Sequence, residues 1–191
     1  MISCLRTASI EGRAILGPWT NEGMTTAIQL RDYLQRGGEP AVQQPTMRLY
    51  QNEVQYFASN FRLFAYEGRD VNYSHISGNF SPAGLAVSAA AAPLNMLFKA
   101  NAKRRGRPQW RETARGALHA TNQRLVLKVE HSLFEWYHDR LATVELMSLG
   151  VYVAHHGAEA NVLDVGYQAN PWFYVLLSYL GLGNRNPPLP A

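Results

Sequence analysis

The sequence predicts a mainly β protein of the α+β class: an antiparallel sheet or barrel capped by a C-terminal helix, with helical additions at its N-terminus and in an insertion. Three observations carry this. Residues 116–129, GALHATNQRLVLKV, alternate apolar and small or polar side chains on either side of a short polar break, the pattern of two strands and a tight reversal. Downstream, short alternating segments recur at intervals of roughly ten residues, as in all-β domains. Asn170-Pro171 then opens a strongly apolar stretch, with an N-cap residue followed by proline at the first helical position.

In the hairpin, Leu118 and Ala120 alternate with Ala117 and His119, and Leu125 and Leu127 alternate with Val126 and Lys128. Asn122 tolerates the left-handed backbone of a reversal, and the Thr121 hydroxyl can bond a nearby backbone group. The spacing Gly116, Leu118, Thr121, Asn122, Arg124, Leu125 resembles the G-x-L-x-x-T-N-x-R-L hairpin of GRAM-like and bacterial PH-like domains. The resemblance runs over residues 48–182, interrupted at 77–115. It implies a small, strongly bent antiparallel sheet closed at one end by its last helix, and a role as a protein or membrane adaptor without catalysis. Members that bind inositol phosphates carry basic residues patterned around their first hairpin loop. That pattern is not matched here, so no ligand residues are carried over from it.

The flanking elements follow from local signals. Residues 1–47 form an N-terminal extension. Gly12, Gly17, Pro18 and Gly23 punctuate its start, and Met24, Ala27, Ile28, Leu30, Tyr33 and Leu34 fall at helical spacing, which predicts one amphipathic helix over 24–36 stopped by Gly37-Gly38. Residues 48–183 form the domain itself. Alternation over 48–67 predicts two strands broken near Ser59-Asn60, and a short strand is expected around 71–76. Residues 78–115 are read as an insertion, Ala-rich from Ala83 to Ala92 after Ser81-Pro82 and basic thereafter. Residues 78–98 barely reach the ~20 apolar residues of a membrane span, and Asn79, Ser88, Pro93 and Asn95 oppose one. From Leu133, two strands over 133–138 and 141–147 flank Asp139-Arg140 as a tight turn. Two more lie over 150–155 and 160–167, joined by residues 156–159. The last helix starts at Asn170, stops at Gly181 and Gly183, and leaves 184–191 as a tail.

Composition narrows the function. The chain has 191 residues, 47% of them hydrophobic, and a formal charge of +4, which suits a globular protein with a sizeable core. Between residues 99 and 115 lie seven of the 18 Lys and Arg residues and one of the 14 carboxylates, so the rest of the chain holds eleven cations against thirteen anions. Any anionic partner belongs at this segment. Lys99, Lys103, Arg104, Arg105, Arg107 and Arg111 are the candidate binding residues, with Trp110 among them as a stacking face or a core residue. Cys4 is the only cysteine, so no intrachain disulfide or cysteine-based zinc site is expected, and a cytoplasmic setting fits. MISCLRTASIEGR offers no apolar core for a secretory signal.

Catalytic signatures are missing. The sequence shows no G-x-S-x-G elbow, no P-loop, and no glycine fingerprint between a strand and a helix. His155 and His156 would point to opposite faces of a strand, and no other histidine has metal-ligand spacing. The expectation is a binding module without cofactor, contacting an anionic membrane surface from the cytoplasm or a protein partner. The alternative is nucleic-acid binding through residues 99–115, which would show as a steep salt dependence. A catalytic reading would require a deep polar pocket gathering His119, His131, His138 or His155 beside a carboxylate.

Overall fold

The structure, a computed structural model, describes residues 19–67 and 108–190. Its order is α1 (Asn21–Gln35), β1 (Gln55–Glu67), β2 (Gln109–Thr121), β3 (Arg124–Val129), β4 (Ser132–Tyr137), a 3-10 turn (His138–Arg140), β5 (Leu141–Met147), β6 (Gly150–His155), β7 (Asn161–Asp164) and α2 (Asn170–Leu182). The seven strands form one antiparallel sheet in the order β4-β3-β2-β1-β7-β6-β5. The α+β class is therefore as the sequence predicts.

The sheet hangs on a ribbon of β1 and β2, each 13 residues long. β2 hands its Ala117–Ala120 end to β3, while β1 gives Arg62–Ala65 to β7. The change of partner falls at Gly116, opposite Phe61. A Cβ built on Gly116 would lie 1.9 Å from the carbonyl oxygen of Lys128 on β3. Only glycine permits so close a backbone approach, and such a site marks a sharp bend.

The bend is large. Trp136 on edge strand β4 meets His155 on β6 with ring centroids 4.9 Å apart, although five strand spacings separate those strands along the sheet. In a flat sheet that path would be about 24 Å. The sheet therefore curls until its two halves face one another. Leu118, Leu125, Leu127, Val151, Val153 and Leu163 fill the inside with Phe173, Val175, Leu176 and Leu177 of α2.

α2 lies against β5, β6 and the 3-10 turn, and also against α1. Pro171 stands in its first turn and Gly183 ends it in the left-handed conformation (φ 64°), as the sequence predicts. The cap position, however, falls on Ala169; Asn170 turns its side chain to the Val165 amide and Asp164 instead of capping, and the helix runs through Gly181. α1 starts at Asn21, three residues earlier than expected, because the Thr20 hydroxyl accepts from the Gly23 amide at 3.1 Å and caps it.

Several expectations need correction. The break foreseen at Ser59-Asn60 is absent: β1 runs through both residues, which pair with Leu118 and Ala117. Ladder pairing on a long partner strand overrides the weak strand preference of Asn and Ser. Residues 48–54 precede the strand instead of forming one. β4 and β5 do not form a hairpin about Asp139-Arg140; they are opposite edges of the sheet, bridged by the 3-10 turn. The strand expected from Gly116 begins at Gln109, so residues 109–115, read as part of the insertion, belong to β2. The strand foreseen at 71–76 and the Ala-rich helix lie outside the described residues. Among those described, no helix is long and apolar enough to cross a membrane.

Candidate functional site

Of the cations singled out from the sequence, Arg111 alone falls within the described residues; Lys99, Lys103, Arg104, Arg105 and Arg107 lie outside them. Arg111 is on β2 opposite Ala65, and its Nε donates to the carbonyl of Glu67 at 3.3 Å. This places it at the end of the β1–β2 ribbon. The adjacent residue is Trp110, directly across from Tyr66.

Trp110 meets Tyr66 edge-on at 5.4 Å and Tyr152 of β6 at 6.1 Å, favourable separations for aromatic pairs. The three rings, with Glu159 and Ala160, line an open pocket of about 450 Å³. Tyr66 is 59% exposed. The ribbon thus ends in an aromatic cluster open to solvent, at the point where the cation-rich sequence enters the sheet. Trp110 is half-buried between the two tyrosines at this end.

The Thr-Asn-x-Arg motif serves a different purpose. Arg124 is buried and lays its guanidinium along Glu53, Nε to Oε1 at 2.8 Å and Nη2 to Oε2 at 2.9 Å, with Nη1 bonded to Glu135. Its charge also sits 3.7 Å from the centre of the Tyr50 ring. Thr121 donates its hydroxyl to Glu53 at 2.8 Å, and Asn122 accepts from the Val54 amide at 3.0 Å while donating to the Asn52 carbonyl at 3.1 Å. Hydrogen bonding from Glu53, against the opposing effect of burial, raises the Arg124 pKa further. Burial pushes the Glu53 carboxyl up, but Arg124, the Tyr50 amide and Thr121 outweigh it and leave it below its ordinary value. The motif therefore clamps the Tyr50–Val54 segment onto the hairpin, with all three guanidinium nitrogens of Arg124 engaged by Glu53 and Glu135.

The histidines are dispersed. His119 lies within 3.1 Å of Thr46 Oγ1 and 3.3 Å of Gln55 Oε1; burial, then the charge of Lys128, lowers its pKa. His138 is buried in the 3-10 turn, with Nε2 2.8 Å from the Thr121 carbonyl. His155 packs on Trp136 and His131 occupies the β3–β4 turn. Among the described residues no group of three His, Cys, Asp or Glu side chains is placed to hold a metal ion.

Compared with models of known protein families, with curated proteins and with solved structures, the chain shows no significant match. Over the described residues the fold defines its class: an α+β protein with one curled antiparallel sheet, α2 packed on β5 and β6, and α1 packed on α2.

Proposed function

We propose that this protein is a non-catalytic, PH-like binding module that meets an anionic membrane surface with the end of its β1–β2 ribbon. One observation carries the reading. Tyr66, Trp110 and Tyr152 cluster at the place where a run of cations, Lys99 to Arg111, joins the sheet. Aromatic rings settle at the headgroup level of a bilayer, and neighbouring Lys and Arg residues add attraction to acidic lipid. Support for the PH-like part comes from the strong curl of the sheet and the position of α2 against β5 and β6.

The test is co-sedimentation with vesicles of neutral lipid and with vesicles containing phosphatidylserine. Binding is expected only to the second, weakening with salt as the Debye length shrinks. At about 1 kcal/mol per cation, changing Lys103, Arg104, Arg105 and Arg107 together to Ala lowers partitioning by two to three orders of magnitude. Trp110→Ala should weaken it separately. Equal binding of the quadruple variant and the native chain defeats the reading. Tight oligonucleotide binding with a steep salt slope and indifference to lipid would instead favour a nucleic-acid partner.

A further inference from the structure

A second group of cations lies away from the ribbon's end, on the outer face of β1. Arg62 and Arg115 are direct cross-strand partners, and like charges so placed repel unless something negative joins them. Each is held by a carboxylate along one edge only. Arg62 donates from Nε at 3.0 Å, and from Nη2, to Asp164 Oδ2. Arg115 donates from Nε at 2.9 Å, and its Nη2 lies 2.7 Å from the same oxygen of Glu112. Among the described residues, neither Nη1 has an acceptor.

The two carboxylates do not close the site to an anion. Asp164 is buried, and its Oδ1 already accepts from Asn170 Nδ2 at 2.8 Å and the Gly166 amide at 2.9 Å. Glu112 pairs with an Arg115 side chain that is 78% exposed, and exposed pairs of this kind hold weakly. One row along the sheet, two residues and about 7 Å away, Asn60 shares the face with Arg62. Across Ala117 from Asn60 stands Lys128 of β3. A pocket of about 590 Å³ opens here, lined in part by Asn60, Arg62, Arg115, Gly116, Asp164 and Gly166.

We propose that this pocket binds a phosphate monoester carried by a small soluble molecule. A carboxylate offers two oxygens, which a single guanidinium fork satisfies. A phosphate monoester offers three oxygens, which suit two guanidinium edges and an amide. The volume lies within the range of small-molecule pockets, roughly 300–1,000 Å³, and leaves room for an organic part beside Gly116 and Gly166. The ligand is soluble because Arg62 sits four residues from Tyr66 on β1, about 13 Å at the rise of a strand. A bilayer touched by the ribbon's end would not bring a headgroup that far.

Titration calorimetry of the full chain with inorganic phosphate, at constant ionic strength, tests this. Saturable binding is expected, with chloride giving none. Arg115→Gln should weaken it about tenfold or more while leaving the melting temperature unchanged, because the Arg115 side chain that pairs with Glu112 is 78% exposed. Arg62→Lys, which keeps a cation beside Asp164 but removes the fork, should also weaken it. Absence of saturable binding, or phosphate affinity untouched in the folded Arg115→Gln protein, overturns the proposal. Vesicles containing phosphatidate supply the last arm. Their binding should be indifferent to Arg115→Gln, and its loss without any free-phosphate binding would place a lipid headgroup in the pocket and refute a soluble ligand.

Discussion

Arg124 shows what a single residue contributes and how much of it the sequence discloses. Its place in a Thr-Asn-x-Arg turn is legible from spacing, but Glu53, its partner, lies 71 residues earlier, and nothing local joins the two. Removing one member of a buried pair strands the other, at a cost of about 3–5 kcal/mol. Arg124→Met should lose that much in urea unfolding, and Glu53→Met with Arg124→Met should recover most of it. A loss in the single variant no larger than that of an exposed pair would sink the clamp. His138 makes a pH prediction at the same scale. Burial holds its pKa below the ordinary value, against the bond to Thr121, and its Nδ1 has no hydrogen-bond partner among the described residues. The unfolded chain takes up this proton below about pH 6.5, whereas the folded chain resists it until lower pH. Stability is therefore full above pH 6.5 and falls on acidification, at up to about 1.4 kcal/mol per pH unit from this group. His119 and His155, also lowered by burial, act in the same direction. His138→Gln should flatten the slope of stability between pH 5 and 6.5, measured by denaturant unfolding, and an unchanged slope would count against it.

Elements were readable where their signals are local. Period-two alternation found the β2–β3 hairpin, and a proline in the first turn with a left-handed glycine after the last found α2, because pleats and helix ends are set over a few residues. Pairing was not readable in the same way. Alternation marks a strand without naming its neighbour, so β4 and β5, adjacent in sequence, read as a hairpin although they are opposite edges. The basic run disguised the start of β2, since Arg111 and Arg115 read as an excursion while their backbones belong to the ladder with β1. Gly116, singled out as the first residue of a motif, is the element-scale hinge. A methyl group there meets the Lys128 carbonyl at 1.9 Å, a backbone atom that cannot swing aside as a side chain would. Gly116→Ala should cost about 3 kcal/mol or more, the upper end for overpacking, and should shift the amide resonances of β3. A loss below about 1 kcal/mol would mean the sheet turns somewhere else.

At the scale of the molecule, the division drawn from sequence between an N-terminal extension and the domain does not describe how the core is shared. Ala27 and Leu34 of α1 are fully buried and belong to the same apolar cluster as Phe173, Val175 and Leu176. Arg185, beyond the end of α2, donates to the Leu34 carbonyl at 2.9 Å and places its guanidinium 5.1 Å from the centre of the Tyr179 ring. The periodicity of α1 announced an apolar face, but a periodic face does not say what covers it. That depends on α2, about 140 residues later in the chain. If α1 is part of the core, Leu34→Ala leaves a cavity at a site walled by both helices, and the loss should be about 2–5 kcal/mol. Helical signal in the far ultraviolet and aromatic signal in the near ultraviolet should then melt together, before and after the substitution, as one cooperative transition. If α1 were only an appendage, Leu34→Ala would leave the aromatic transition where it was, and part of the helical signal would melt at lower temperature. The complete burial of Leu34 and the tether from Arg185 argue for the single transition.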